Sequence, residues 1–166
     1  MIAGAPPDRF GAMDDAPLRE SGALFATETL PDSLISLEEL AATVRRFERA
    51  YVRYSEGPEH DRDGSVDTES GLTLPGLSAN PLHAEPWWSR PFEDWLARQV
   101  CQYRELQEKN PDRFAWVLCG TEVGRGPDCE PLLREVIPIA RLDDALLDEA
   151  ADRYETRFRA GHGPED

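Results

Sequence analysis

The segments FAWVLCG, residues 114–120, and REVIPIARL, residues 134–142, decide the fold predicted for this chain. Both are rich in β-branched and other apolar residues, a composition typical of β-strands. Between them lies GRGPDCEP, residues 124–131, in which two glycines and two prolines favour a stiff loop. The sequence therefore predicts two strands of one sheet, with a charged loop before the second.

Outward from these strands, apolar residues recur at a helical spacing in three stretches. Residues 36–50, 89–106 and 143–158 each place apolar side chains three or four positions apart, which predicts three helices. Ser36 is the predicted N-cap of the first helix and Ser89 that of the second, since serine accepts a hydrogen bond from the free amides of a first turn.

Two further extended segments complete the predicted sheet. AYVRYS, residues 50–55, is short and rich in aromatic residues, and GLTLPGLSANPL, residues 71–82, is extended chain broken by proline. Alternation divides the first strand into two faces, with Tyr51, Arg53 and Ser55 on one and Val52 and Tyr54 on the other. The order α-β-β-α-β-β-α predicts an α+β fold: one compact domain with a small mixed or antiparallel sheet and three helices.

Composition sets the boundaries of this domain and the classes of partner. Residues 1–32 are rich in Pro, Ala, Gly and Asp and are predicted to be a disordered leader; residues 33–159 form the domain, and residues 160–166 a flexible tail. The net charge of −15 repels phosphate backbones, so we expect no nucleic-acid partner. With neither an apolar run of membrane-spanning length nor a secretion signal, we expect no membrane partner and a cytoplasmic location. The oligomeric state stays open.

No metal is expected. The three cysteines include no Cys-x-x-Cys pair, which argues against a structural zinc site. EHDRDGSVDTES, residues 59–70, has several acidic residues at the spacing of a calcium loop, but its twelfth position is Ser70 where a bidentate carboxylate is needed. We interpret it as a solvated acidic loop.

The candidate site combines short polar motifs from three parts of the chain. Its candidate catalytic residues are Glu130 and Asp128, in the loop before the last strand. The candidate ligand-binding residues are Arg53, Ser55, Ser78, Asn80, Trp88 and Arg125. Arginine suits a phosphate because its planar fork presents paired donors, and a tryptophan can stack on a planar ring.

In this order, the motifs resemble those of ADP-ribosyltransferase-type NAD-binding folds over residues 50–142. The resemblance implies that Arg53 pairs with an NAD phosphate, that Ser78 braces the nicotinamide site, and that Glu130 stabilises the cationic ribose as nicotinamide leaves. It also implies that Asp128 orients an acceptor, with NAD as substrate. The second motif departs from the family pattern, reading Leu-Ser-Ala where Ser-Thr-Ser is usual. The acidic pair departs too, since it is Asp-x-Glu rather than Glu-x-Glu or Gln-x-Glu.

YVRYSEGP, GLSANPL, EPWW and GRGPDCEPLL together resemble a family of small uncharacterised proteins of Streptomyces and related actinobacteria, over about residues 33–142. That resemblance implies no activity. The leading hypothesis is a domain that binds NAD or a related phosphate-bearing ligand and transfers or hydrolyses its ADP-ribosyl group. The alternatives are a non-catalytic acidic binding or regulatory module that docks a basic protein, and an auxiliary protein of a specialised metabolic pathway.

Overall fold

The computed structural model describes residues 23–158. Its six strands are β1 (Asp32–Leu34), β2 (Tyr51–Ser55), β3 (Leu77–Ser78), β4 (Asn80–Pro81), β5 (Phe114–Arg125) and β6 (Pro131–Leu142). Its helical segments are α1 (Leu37–Arg45), α2 (Phe92–Val100), α3 (Gln102–Lys109) and α4 (Asp144–Phe158). Cys101 joins α2 to α3 with helical backbone angles, and its N–H donates to the Ala97 carbonyl over 2.9 Å. The two segments are therefore parts of one helix, and the predicted α+β fold with three helices and a mixed sheet is confirmed.

The sheet curls back on itself. Its order is β1-β6-β5-β2-β4, in which β1 runs parallel to β6 while β5 is antiparallel to both β6 and β2. The short strand β3 pairs with the far half of β6, and β4, one residue further on, pairs with β2. Residues 77–81 therefore connect β6 to β2, which are not neighbours in the sheet. This connection requires the sheet to curve towards a closed form.

Two clusters of apolar side chains lie on the two faces of this sheet. The larger one packs α1, α2 and α4 against residues such as Val52 and Val117. The smaller one fills the concave side and contains Tyr51, Trp116 and Leu133. The predicted alternation of β2 is confirmed, because Val52 and Tyr51 belong to opposite clusters.

Local chemistry explains where the helices begin and how they are held. The Ser36 hydroxyl accepts from the Glu39 amide over 3.1 Å, and Glu39 Oε2 accepts from the Ile35 N–H over 2.8 Å, which completes a capping box of shifted form. The second helix differs from the prediction, because its N-cap is Pro91 and no side chain caps it. None of the helices within residues 23–158 is long and apolar enough to cross a membrane.

A buried carboxylate ties the second helix to the last. Asp94 is only 1% exposed, and its two oxygens accept from Arg153 Nε over 2.6 Å and from Arg90 Nη2 over 3.2 Å. Little water reaches the carboxylate at this depth, and the two arginines supply its hydrogen bonds instead.

Part of the predicted leader proves to belong to the domain. Leu24 and Phe25 pack against the smaller cluster, and the Ala26 N–H donates to the Val136 carbonyl over 2.9 Å. The leader prediction is therefore wrong for residues 23–32, whose few apolar side chains suffice to cover the concave side. The rest of the predicted leader and the predicted tail lie outside the described residues.

The last two predicted strands along the chain, β5 and β6, are longer than their apolar segments indicate. β5 continues through the polar residues to Arg125, and β6 begins at Pro131. The connecting loop is thereby reduced to residues 126–130. Main-chain pairing between the two strands overrides the low strand propensity of Gly124, whereas Gly120 lies at one of the irregularities of the pairing. Register shifts interrupt this pairing at three places and bend the hairpin.

Candidate functional site

Arg53 and Asp61 form a buried ion pair on the concave side of the sheet. Arg53 Nε donates to Asp61 Oδ2 over 2.7 Å, and Nη2 donates to Oδ1 over 3.0 Å. The side chains are 16% and 9% exposed, so water solvates neither charge well. Two parallel donors on one carboxylate are the strongest geometry that an arginine offers.

Ser55 and Ser78 belong to the same network. The Ser55 hydroxyl donates to Asp61 Oδ2 over 2.6 Å and accepts from Trp116 Nε1 over 3.0 Å. Ser78 takes part through its carbonyl, which accepts from Arg53 Nη1 over 2.7 Å. Three of the predicted ligand-binding residues therefore meet in space, but their polar groups are used to hold one another.

The sequence analysis did not identify Asp61 as the partner of Arg53 in this network. It lies in the loop that resembles a calcium site, and its burial shows that this part of the loop is not solvated as predicted. Within residues 23–158, no group of three or more His, Cys, Asp or Glu side chains is placed to hold a metal ion. The sequence contained one signal for this partner. Asp61 is an acidic residue eight positions after Arg53, and an arginine on a strand needs a counter-ion if it is buried.

Asn80 lies next to this network without a hydrogen bond to it in the described residues, whereas Trp88 lies in a separate aromatic cluster. Burial raises the pKa of the Tyr103 hydroxyl, and a hydrogen bond with the Asn80 side chain acts against that rise, which places Asn80 beside the helices. The Trp88 ring packs edge-on against Trp95 at 5.1 Å between centroids and stacks on Phe158 at 6.3 Å. Its indole N–H donates to the Pro91 carbonyl over 3.1 Å, so Trp88 has a structural role.

Arg125, Asp128 and Glu130 lie at the tip of the β5–β6 hairpin and stabilise its turn. Glu130 Oε2 accepts from the Asp128 N–H over 2.9 Å. Arg125 Nη1 donates to the Cys129 carbonyl over 3.1 Å, and its Nε lies 3.0 Å from Glu122 Oε1. The backbone of Cys129, at φ 63°, completes the tight turn. The predicted catalytic carboxylate is thus folded back onto its own loop.

A separate cleft of about 920 Å³ opens beyond the end of α1. Its floor is the bent hairpin, and its walls are the segment before β1 and the connection from α1 to β2. The residues lining it are Ala23, Phe25, Ala26, Phe47, Glu48, Arg49, Cys119, Gly120, Thr121, Glu135 and Ile137. None of the predicted site residues is among them. A volume of this order is typical of pockets that hold small molecules or a few side chains.

The floor of the cleft combines the apolar Ile137 and Cys119 with the polar Thr121 and Glu135, and it carries one backbone outlier. Ile137 is 45% exposed although it lies in the middle of β6. Glu135 has φ 54°, a left-handed conformation that is uncommon for a residue with a side chain, and its Oε2 accepts from the Thr121 hydroxyl over 3.1 Å. Outliers of this kind cluster at binding sites, where the surrounding structure holds them in place.

The cysteine and the arginine that line the cleft are poorly suited to covalent chemistry. Burial raises the pKa of the Cys119 thiol above its usual value, so the sulfur stays protonated at neutral pH and is a poor nucleophile. Arg49 lies 3.8 Å from Glu122 in an exposed ion pair. The lining therefore suits binding by shape and charge better than covalent chemistry.

Sequence reasoning missed the cleft because its residues belong to distant segments. The apolar run VIPI, residues 136–139, is typical of a strand that is covered on both faces, so nothing in it indicates that Ile137 is exposed. Ile137 lies on the helix side of the sheet, at a place that no helix of residues 23–158 covers.

The chain belongs to a family of unknown function (DUF6098), whose model matches residues 27–163. The expected membership of a family without an assigned function is thereby confirmed. No curated protein and no solved structure matches the chain.

Proposed function

We propose that this member of the family is a non-catalytic binding module and that its cleft holds an apolar group of a ligand or partner. One observation carries the proposal: the Arg53 side chain and the Glu130 carboxylate, expected to bind the ligand and to catalyse, already have partners within the fold, while the cleft with its exposed Ile137 is open. Arg53 is used by Asp61 and by the Ser78 carbonyl, and Glu130 by its own turn.

The energetics of the two places support the same assignment. A phosphate at Arg53 would have to displace a bidentate carboxylate, and removing one partner from a buried pair costs about 3–5 kcal/mol. An apolar group entering the cleft displaces only water, and each Å² of apolar surface that it buries contributes about 25 cal/mol.

The test uses Nile red, a neutral dye whose fluorescence rises in apolar surroundings. We expect the full chain to bind it, and Ile137→Asp to weaken binding by at least about tenfold, since a charge in an apolar seat loses its hydration. The matched control is Leu72→Asp, because Leu72 is also exposed but does not line the cleft. Equal dye binding by wild type and Ile137→Asp would refute the proposal.

A second candidate function is ADP-ribosyl transfer, which the meeting of Arg53, Ser55 and Ser78 in one network favours. It requires the Glu130 carboxylate to leave the Asp128 amide and turn towards a ribose. A proton NMR time course with NAD tests it, with Glu130→Gln as the inactive variant. Release of nicotinamide by wild type and not by Glu130→Gln would establish this chemistry and displace the binding proposal.

A further inference from the structure

We propose that the natural occupant of the cleft is an amphipathic helix of a basic partner protein, which lies on the sheet as one more helix. This inference rests on the proposed function, since it names the partner for the same cleft. It is carried by three features: the face on which the cleft lies, the shape of the neighbouring strand edges, and the charge around the rim.

The cleft lies on the face of the sheet that the helices cover elsewhere. A Cβ added at Gly120 would meet Leu133 and Val136, which belong to the concave cluster. Because side chains alternate along a strand, Cys119 and Thr121 point to the opposite face. Phe47, at the end of α1, packs against the helix-side cluster and forms a wall of the cleft. The helix layer therefore stops where the cleft begins.

Strand addition fits this place less well than a helix. The outer edge of β5 beyond Leu118 has no paired strand within the described part of the chain, but register shifts at Cys119/Thr121 and Glu122/Gly124 distort it. Distortions of this kind hinder the pairing of a new strand. The outer edge of β6 at Glu135 and Val136 already bonds to residues 23–26. A helix needs neither edge, because it satisfies its own backbone.

The negative charge around the cleft favours a basic partner. Glu48 and Glu135 line the cleft, and the one lining cation, Arg49, is offset by Glu122 at 3.8 Å. The chain as a whole carries a net charge of −15. Such a field speeds the approach of a cationic partner and repels a second copy of this chain.

The experiment uses a designed peptide of about 15 residues, with Leu at helical spacing on one face and Lys on the other. A scrambled peptide of the same composition and a peptide with Glu in place of Lys are the controls. Binding to the full ¹⁵N-labelled chain is followed by amide shifts, and the peptide's own helicity by circular dichroism. We expect shifts at Cys119, Thr121 and Ile137, a gain of helix in the peptide, and at least about tenfold weaker binding of both controls.

Two kinds of variant separate a seated helix from general attraction between opposite charges. Ile137→Asp adds a negative charge, so pure attraction predicts equal or tighter binding, whereas the proposal predicts at least about tenfold weaker binding. Thr121→Glu is the second variant for the same seat, with the same two expectations. Glu48→Gln with Glu135→Gln should weaken binding about two- to tenfold at low salt. The matched control is Glu108→Gln with Glu155→Gln, which line other surface clefts.

Several outcomes would overturn the inference. These are peptide binding that Ile137→Asp leaves unchanged, a bound peptide that is extended, and equal binding of the Lys and Glu peptides. A dimer in solution that Ile137→Asp dissociates would identify a second copy as the occupant instead. If Nile red binds the cleft but the peptide does not, the helix proposal fails while the proposed function stands; if neither binds, both fail.

Discussion

Asp61 and Arg53 occupy a position where each charge depends on the other for its solvation. A charge left alone at this depth would have to be neutralised or exposed to water by a local rearrangement. The same carboxylate accepts from the Ser55 hydroxyl, so three side chains share one arrangement. Loss of Asp61 therefore affects β2 and the loop that covers it together.

We expect Asp61→Ala to lower the free energy of unfolding by about 3–5 kcal/mol, because Arg53 then stays buried without its counter-ion. Chemical denaturation measures the change. Asp63→Ala is the control, since Asp63 is an exposed acid of the same loop and should cost less than about 0.5 kcal/mol. Similar small losses for both variants would mean that the ion pair contributes little.

His83 adds a dependence of stability on pH. Burial lowers its pKa below the usual value, against a hydrogen bond to the Phe47 backbone that raises it. Between the folded and unfolded pKa values the unfolded state binds more protons, so the contribution of His83 is complete above about pH 6.5 and is lost as the pH falls below it.

We therefore expect the free energy of unfolding to fall between pH 7.5 and 5.5 more steeply in wild type than in His83→Gln. Denaturation curves at matched ionic strength give both slopes. His60→Gln serves as the control, because His60 is exposed. If wild type and His83→Gln have the same slope, the half-buried imidazole does not contribute.

At the scale of elements, the helices and strands form where local pattern and tertiary pairing agree. α1 has both a periodic apolar face and a side-chain cap, whereas α2 begins at Pro91 without one. Packing of Phe92 and Trp95 against the helix-side cluster therefore holds the start of α2 in place.

This difference predicts unequal effects of two similar substitutions. Ser36→Ala should lower the free energy of unfolding by about 1 kcal/mol, since it leaves the Glu39 amide without its acceptor. Ser89→Ala should change it by less than about 0.5 kcal/mol, because Ser89 is exposed and does not cap α2. Thermal or chemical unfolding of the two variants compares them directly, and a larger loss for Ser89→Ala would contradict the capping assignment.

The three helices and most of the longer strands could be predicted from the sequence. The features that were missed depend on contacts between residues that are distant in the chain or held by loops. The three helices and the faces of β2 follow from periodicity, which is local information. β1 was not predicted because Asp32 and Ser33 are polar and pair only with β6, which comes much later in the chain. The contacts of the candidate site could not be predicted for a similar reason: Arg53, expected to bind the ligand, pairs with Asp61, and Glu130, expected to be catalytic, accepts from the Asp128 amide. Both contacts depend on loop geometry that no motif encodes.

At the scale of the whole molecule, the excess of negative charge acts on stability as well as on partners. A net charge of −15 on 166 residues makes the folded chain repel itself, and this repulsion eases when the chain expands. The exposed ion pairs offset little of it, since each contributes at most about 1 kcal/mol.

We expect the thermal midpoint to rise as NaCl increases from about 0.01 M to 0.5 M and then to level off, because the screening length falls from about 30 Å to below 10 Å over this range. Differential scanning calorimetry at pH 7.5 measures the midpoint. Sucrose at matched osmolality is the control for effects of excluded solute. A midpoint that falls steadily with salt would show that attractive pairs outweigh the repulsion.

The place of β6 in the sheet has a consequence for how the protein is made in the cell. β6 pairs with β1, β5 and β3, and of the strands within residues 23–158 it is the last to leave the ribosome. β1 and β3 must therefore wait, unpaired, until residues 131–142 have been synthesised and have cleared the exit tunnel. A nascent chain halted before that point lacks the strand that joins β1 and β3 to the rest of the sheet, so the sheet can be completed only after nearly the whole domain has been translated.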